Sequence, residues 1–248
     1  MAKLAVVPRI ERSQSACYRS LALLISSGIY TPHASKTALM TSQLTTLYLV
    51  RHGSTPANEH KPRMLQGSGV NGGLSELGRR QAASVAQWFR QVRVDVVYSS
   101  PLVRAVETAN EICRSIEREM TTVPELVEVD VGQWERQTWD SIKASYPEEY
   151  ARFHADCSRH GYLGGESYSD VQQRVVPAFT RLLEQHVGQS ITIVAHSTVN
   201  TVYLATLLGL DVKMARKLPQ ENCAVNVIQF KDGVAQLVTM NSVFHLAE

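Results

Sequence analysis

One stretch of the sequence decides the fold: Leu47-Tyr48-Leu49-Val50-Arg51-His52-Gly53-Ser54-Thr55-Pro56-Ala57-Asn58. Its first four residues form a continuous run of β-forming apolar side chains, which predicts a buried central strand. The run ends abruptly in Arg51, His52 and Gly53. Ligands of open α/β sheets bind beyond the carboxyl ends of the strands, and a glycine lets the backbone approach a bound group closely. On this stretch alone, a solvated strand end and a functional site are both acceptable interpretations.

A second strand of the same construction lies far along the chain. Residues 189–196, Gln-Ser-Ile-Thr-Ile-Val-Ala-His, are again an apolar run that ends in a histidine, His196. A single histidine at a strand end is usually structural. Two strands that each end in histidine favour a converging pair, His52 with His196, at one edge of the sheet.

The remaining pattern predicts an α/β fold. Further strands are expected from residues 94 and 223 and from residue 234, the last two forming a hairpin whose turn is Asp232-Gly233. Helices are expected after Ser75, from Ser100 as N-cap with Pro101 at its first position, and over about 169–186. We therefore predict a three-layer αβα sandwich with a mixed, mostly parallel central sheet.

Composition bounds the function. The 248 residues are 44% hydrophobic and 19% charged, which is enough for one sizeable α/β core. A net charge of +2 without a stripe of basic and aromatic residues does not indicate nucleic-acid binding. No apolar run is long enough to cross a membrane. The cysteines are scattered, which favours reduced thiols in a cytoplasmic compartment over a disulfide framework; they are Cys17, Cys113, Cys157 and Cys223.

The first 44 residues differ from the rest. They carry many serines and several basic residues against a single acid, Glu11. This composition fits an organellar transit peptide, a weak secretory signal or an upstream extension before the true start. We favour a disordered extension with Met40 as the start, followed by one domain over residues 45–248, in the cytoplasm unless the segment directs import into an organelle.

Four motifs occur in the order of a known family. They are Arg51-His52-Gly53-x-Thr55-x-x-Asn58, the Ser-Pro-Leu-x-Arg-Ala-x-x-Thr-Ala motif over residues 100–109, Leu126-x-Glu128 followed by Gly132-x-Trp134-Glu135, and the Gly-Gly-Glu-Ser motif of residues 164–167. Together they resemble the histidine phosphatase superfamily, also called the phosphoglycerate mutase-like family. The resemblance spans roughly residues 46–246.

The resemblance implies a site and a mechanism. His52 would be the nucleophile, with its second ring nitrogen held by a backbone carbonyl, and Glu128 would be the proton donor. Four acids crowd the stretch around Glu128, and only the resemblance selects this one. Arg51, Arg104 and His196 would bind the phosphoryl oxygens, and the resemblance implies no metal and no cofactor. Further phosphate contacts are expected from Thr55, Asn58, Gln66, Gly67 and Ser197.

Departures from the family pattern leave alternatives open. Asn71 and Gly73 replace an aspartate and a proline, Arg136 replaces a glycine, and Ser197 follows the second histidine in place of glycine. We favour a phosphomonoester hydrolase that acts on a small molecule through a phosphohistidine. A phosphoglycerate mutase and a catalytically silent phospho-ligand-binding domain are the alternatives. The substrate is not specified by the sequence, and a homodimer is compatible with it.

Overall fold

The computed structural model describes residues 43–246. Nearly all of the predicted N-terminal extension lies outside these residues, so it stays a prediction. Within the described part, no helix combines the length and the apolar character needed to span a membrane. The six strands are β1 (Thr45–Arg51), β2 (Val96–Ser99), β3 (Met120–Thr122), β4 (Ser190–Ala195), β5 (Val225–Lys231) and β6 (Val234–Ser242).

Within residues 43–246, seven α-helices cover the sheet or lie beside the ends of its strands. They are α1 (Pro56–Glu59), α2 (Glu76–Phe89), α3 (Val103–Ile116), α4 (Trp139–Ser145), α5 (Pro147–Ala155), α6 (Tyr168–Gln185) and α7 (Ser197–Leu207). Short 3₁₀ segments occur at Pro124–Leu126, Gly132–Trp134, Val212–Lys217 and Phe244–Leu246.

The sheet has the strand order β3-β2-β4-β1-β5-β6. The first four strands of this order run parallel, and β5 and β6 form an antiparallel hairpin against β1. In the central pair, Arg51 at the end of β1 lies opposite Ala195 at the end of β4. His52 and His196 therefore leave adjacent parallel strands at the same edge. This sheet confirms the predicted fold class.

Two apolar cores lie on the two faces of the sheet. One contains Leu47, Leu49 and Ile193 with the inner sides of α6 and α7, and the other contains Val50 and Val194 with α2 and α3. Because neighbouring residues of a strand point to opposite faces, a central strand buried on both sides must be apolar throughout. The short apolar runs in the sequence reflect this requirement.

The start of α3 differs from the prediction. The helix begins at Val103 and not at Pro101, with no side-chain cap of its own. Asn71 from a distant loop accepts a hydrogen bond from the Val103 N–H at 2.7 Å. The Ser100 hydroxyl, predicted as the cap, accepts from the Leu102 N–H at 3.3 Å and also lies 2.7 Å from Nε2 of His196. A tertiary contact from Asn71 caps the helix where it begins, at Val103.

Two further features concern the strands. The three-residue strand β3 was not predicted, because it lies at the sheet edge and two of its residues are exposed. The hairpin turn was predicted correctly. Asp232 and Gly233 have φ angles of 52° and 77°, as a two-residue turn with both central residues in the left-handed region requires.

Candidate active site

The two strand-end histidines form a buried pair. The ring centroids of His52 and His196 are 5.1 Å apart, and both side chains are almost fully removed from solvent. The Nδ1 atom of His52 lies 2.7 Å from the carbonyl oxygen of Gly53. Because a carbonyl only accepts, Nδ1 must carry the proton, which leaves a lone pair on Nε2. The backbone thus holds His52 as a neutral imidazole whose Nε2 can act chemically as a nucleophile.

Burial and positive charge keep both imidazoles neutral. Desolvation lowers the pKa of His52 well below its usual value, and the charges of Arg51 and Arg104 lower it further. Burial followed by the charge of Arg104 has the same effect on the pKa of His196. The Nε2 atom of His196 lies 2.7 Å from the Ser100 hydroxyl. Its Nδ1 is buried without a protein partner, so this atom is available to a ligand.

Arg51 is a buried cation with unused donors. One terminal nitrogen donates to the carbonyl oxygen of Gln220 at 2.6 Å, while its Nε is buried without a partner. Burial, with a contribution from neighbouring Arg63, lowers the pKa of Arg51 to about 10. The side chain therefore stays charged at neutral pH, and an anion in the site would complete its hydrogen bonds.

Arg104 is the second residue of α3 and is fully buried. Its two terminal nitrogens donate to the carbonyl oxygens of Val70 and Gly67 at 2.7 and 3.0 Å, and its Nε has no partner. Burial lowers its pKa, and the charges of Glu128 and Glu135 oppose this shift. Arg104 thus holds the 67–70 loop while its remaining N–H groups stay unpaired behind the cavity wall.

Glu128 is the carboxylate that the fold brings to the histidines. Its Oε1 accepts from the Val129 N–H at 2.9 Å, and its Oε2 accepts from the Thr198 N–H at 3.3 Å. Thr198 lies in the first turn of α7, immediately after His196 and Ser197. The helix that carries the second histidine therefore also orients the carboxylate.

A cavity of about 350 Å³ opens onto these groups. Six of the ten predicted site residues line it: Arg51, His52, Asn58, Gln66, Glu128 and Ser197. The other four, Thr55, Gly67, Arg104 and His196, are buried and are not among its lining residues. Of these, Arg104 and His196 present unpaired polar atoms, whereas the other two do not.

Thr55 and Gly67 are better described as supports than as phosphate contacts. The Thr55 hydroxyl lies 2.7 Å from Oε1 of Gln66 and caps α1. The N–H of Gly67 donates to the Glu135 carboxylate at 2.7 Å, and its carbonyl accepts from Arg104. Their polar groups are occupied by protein partners, so a direct contact with phosphate, as the resemblance implied, is not favoured.

Residues 47–243 match the model of the Histidine phosphatase superfamily (branch 1). The chain belongs to this superfamily. The match covers all of the strands that carry site residues, so the family expected from the sequence is confirmed, as is an enzyme of the phosphatase type.

Three relatives of this histidine phosphatase superfamily member are informative, and two of them carry phosphatase names. Phosphoserine phosphatase 1 of Hydrogenobacter thermophilus is 29% identical over 202 residues, which are 82% of this chain and 94% of the relative. The structure of Bacillus stearothermophilus YhfR has 28% identity and a TM-score of 0.75, covering 82% and 100% of the two chains. An Entamoeba histolytica phosphoserine phosphatase solved with 3-phosphoglyceric acid has 27% identity and a TM-score of 0.73, with the same coverage. These relatives support phosphomonoester hydrolysis.

Three residues that contact the site of this superfamily member were not predicted as site residues. Arg174 in α6 donates to the carbonyl oxygens of residues 125, 127 and 128 and forms an ion pair with Glu166. Ser100 contacts His196, although it was expected only as a helix cap. Arg216 lines the cavity from the 3₁₀ segment Val212–Lys217. The only signal for Arg174 was Glu166 in the Gly-Gly-Glu-Ser motif, whose partner the sequence alone does not name.

Proposed function

We propose that the protein hydrolyses phosphomonoesters through a covalent phosphohistidine at His52. One observation carries the proposal. Nδ1 of His52 is held by Gly53 O, so that Nε2 has a free lone pair in a buried site that contains two arginines and a carboxylate. Phosphoryl transfer needs this combination of a placed nucleophile and preorganised positive charge.

In the first step, Nε2 of His52 attacks phosphorus while the bond from phosphorus to the ester oxygen breaks. Glu128, in its acid form, gives its proton to the departing oxygen, which leaves as an alcohol. Arg51, Arg104 and the Nδ1–H of His196 stabilise the charge on the phosphoryl oxygens. The loss of one such donor typically lowers the rate on the order of 10²- to 10³-fold.

In the second step, Glu128 as carboxylate takes a proton from a water molecule that attacks the phosphohistidine. The bond from phosphorus to Nε2 breaks, inorganic phosphate is released, and His52 and Glu128 return to their starting states. The proposal needs no metal ion, because the two buried arginines supply the positive charge on the transferring group.

The substrate class follows in part from the relatives. Two of them are phosphoserine phosphatases, and one of these was solved with 3-phosphoglyceric acid. A cavity of about 350 Å³ lies at the lower end of the range for small-molecule sites. Small phosphorylated carboxylic acids are therefore the first substrates to test.

The test is phosphorus NMR on the purified protein with a metal chelator and a mixture of phosphomonoesters that includes 3-phosphoglycerate primed with its bisphosphate. Growth of inorganic phosphate in the wild type, lost in His52→Ala, is the expected result. Formation of 2-phosphoglycerate without inorganic phosphate would establish a mutase instead. Full activity of His52→Ala would refute the mechanism.

The covalent intermediate has its own test. In Glu128→Gln, 4-nitrophenyl phosphate should still phosphorylate His52, because its leaving group needs no proton, whereas attack by water should be slow. We expect a burst of one nitrophenolate per enzyme and an acid-labile phosphoenzyme that mass spectrometry places on His52. A burst that leaves no phosphorylated protein would argue for direct attack by water.

We also propose that the protein acts in a reducing compartment such as the cytoplasm. Three cysteines of the described part, Cys113, Cys157 and Cys223, are buried and not joined in disulfides. Burial raises the pKa of Cys157 to about 11, which keeps it an unreactive thiol. Localisation of the full-length chain fused to a fluorescent protein would test this assignment and the import alternative together.

A further inference from the structure

Arg216 is a cation fixed in the wall of the active-site cavity. Its guanidinium carbon lies 4.8 Å from the ring centroid of Phe153 and 5.6 Å from that of Trp139. One terminal nitrogen lies 3.1 Å from Nδ1 of His154. Burial, together with the charge of Arg216, lowers the pKa of His154, so this imidazole is neutral and can accept the hydrogen bond. The guanidinium is therefore held in place before any ligand binds.

No carboxylate neutralises this cation within the part of the chain that the structure describes. The ion pairs found there use other basic residues. Arg216 also keeps most of its five N–H donors, since its one hydrogen bond to a side chain is the bond to His154. A planar, preoriented guanidinium with free donors is well suited to binding an anion through two hydrogen bonds.

The position of Arg216 relates it to the leaving group. Arg216 lines the same cavity as Glu128, and the charges of both act on the buried hydroxyls of Tyr162 and Tyr168. Glu128 must contact the ester oxygen that departs, so the rest of the leaving group extends over the wall that these residues form. In the proposed mechanism the phosphoryl group binds against His52, which lines the same cavity.

We propose that Arg216 is a specificity-determining residue that binds a second anionic group carried by the leaving group of the substrate. This inference rests on the proposed function and deepens it. The substrate class is a phosphomonoester whose alcohol bears a carboxylate or a second phosphate. A cavity of about 350 Å³ holds such a molecule when the alcohol is small.

The alternative is that Arg216 only packs on the two aromatic rings. In that case its replacement changes stability but not the choice between substrates. A pair of esters that differ only in the second group separates the two roles. The chosen pair is 3-phosphoglycerate and glycerol 3-phosphate, which share a three-carbon skeleton and differ in a carboxylate against a hydroxymethyl group. Fructose 1,6-bisphosphate against fructose 6-phosphate tests a second phosphate in the same way.

Steady-state kinetics on the wild type come first. In one of the two pairs, we expect kcat/KM to be at least about tenfold higher for the ester that carries the second anionic group. A pair of charge-assisted hydrogen bonds is worth about that factor or more. The pair that shows the preference identifies a carboxylate or a phosphate as the second anion. Equal kcat/KM within both pairs would overturn the inference without any variant.

The variants then assign the preference. Arg216→Gln and Arg216→Met, the second of which keeps apolar packing on the rings, should reduce the preference about 10- to 100-fold, mainly through KM. Arg216→Lys keeps the positive charge and should retain part of the substrate preference. The matched control is Lys217→Gln, which removes the same charge from the adjacent exposed residue outside this cavity and should leave the preference unchanged. A preference that survives in a folded Arg216→Met protein refutes the assignment.

A binding measurement separates this inference from the proposed function. In a His52→Ala background, where turnover is blocked, calorimetry with the preferred ester and its neutral partner measures affinity alone. Arg216-dependent selectivity in binding, together with no hydrolysis by the wild type, would support the anion site and refute the hydrolase. Hydrolysis by the wild type without selectivity in kinetics or in binding would support the hydrolase and refute the anion site.

Discussion

Replacing Arg174 by lysine should impair catalysis by displacing Glu128, although the side chain does not enter the cavity. Arg174 makes five hydrogen bonds: two to the Glu166 carboxylate and three to the carbonyl oxygens of Glu125, Val127 and Glu128, at distances from 2.6 to 3.2 Å. An ammonium group has at most three N–H donors, so at least two of these bonds must be lost.

The magnitude follows from the exposure of these groups. The Arg174 and Glu166 side chains are 21% and 24% exposed, so each lost bond is worth about 1 kcal/mol rather than the larger value of a fully buried charge. We expect Arg174→Lys to be destabilised by about 2 kcal/mol, which lowers the Tm by roughly 4–8 °C for a domain of this size. Displacement of a general acid should remove part of its usual 10²- to 10⁴-fold contribution, about 10- to 100-fold.

The assay compares two esters in the first turnover. An alkyl phosphate needs the proton of Glu128 on its leaving oxygen, whereas 4-nitrophenyl phosphate does not. Rapid-quench measurement with Arg174→Lys should show the full loss on the alkyl ester and less than about threefold loss on the aryl ester. Arg181→Lys on the same helix is the control, because its ion pair with Glu125 is exposed and worth little. Equal loss on both esters, or none on either, would refute the positioning role.

Three further predictions concern the histidine pair and its supports. Gly53→Ala should lower the free energy of unfolding by about 1–3 kcal/mol, because the new Cβ would lie 2.5 Å from the carbonyl oxygen of Gly78. Urea unfolding measures this change, and Gly72→Ala is the control because a Cβ at Gly72 would meet open space. The pKa of His196 is lowered in the folded protein, so below pH ~6.5 the unfolded chain binds more protons than the folded one, and the free energy of unfolding falls as the pH falls. In urea unfolding at several pH values, the slope of this free energy against pH should be smaller in His196→Asn by up to about 1.4 kcal/mol per pH unit. An unchanged slope would contradict the neutral buried state. Ser100→Ala should reduce kcat on 4-nitrophenyl phosphate by about 3- to 10-fold by leaving Nε2 of His196 unpaired, and wild-type kcat would show that the hydroxyl does not orient this ring.

The parts of the site at strand ends were accessible to sequence analysis. The apolar run before His52 and the one before His196 each predict a central strand, and parallel neighbours must place their ends together. The choice of Glu128 among four nearby acids was different. It required the resemblance, because the Thr198 N–H, which donates to this carboxylate, and Arg174, which donates to the backbone carbonyl of Glu128, are both far away in sequence.

What the sequence analysis missed depends on contacts between distant segments. Ser100 and Pro101 form a good local helix start, yet α3 begins at Val103 with a cap from Asn71, and the Ser100 hydroxyl contacts a histidine in addition to the Leu102 N–H. Arg216 belongs to a short 3₁₀ segment with no repeating pattern, and its role depends on aromatic rings brought in by α4 and α5. Local propensity carries no information about such partners.

The order of the strands has a consequence for the synthesis of the protein. Strand β1 leads directly into His52 near the start of the described residues, but both of its neighbours in the sheet, β4 and β5, come from the last third of the sequence. Closing such long loops delays folding, since their entropy is lost before the contacts form. On the ribosome, β1 must therefore wait with its apolar surface uncovered until nearly the whole chain has emerged. The enzyme acquires its histidine pair and its central sheet in the same late event, so a chain that still lacks β4 and β5 has no assembled site.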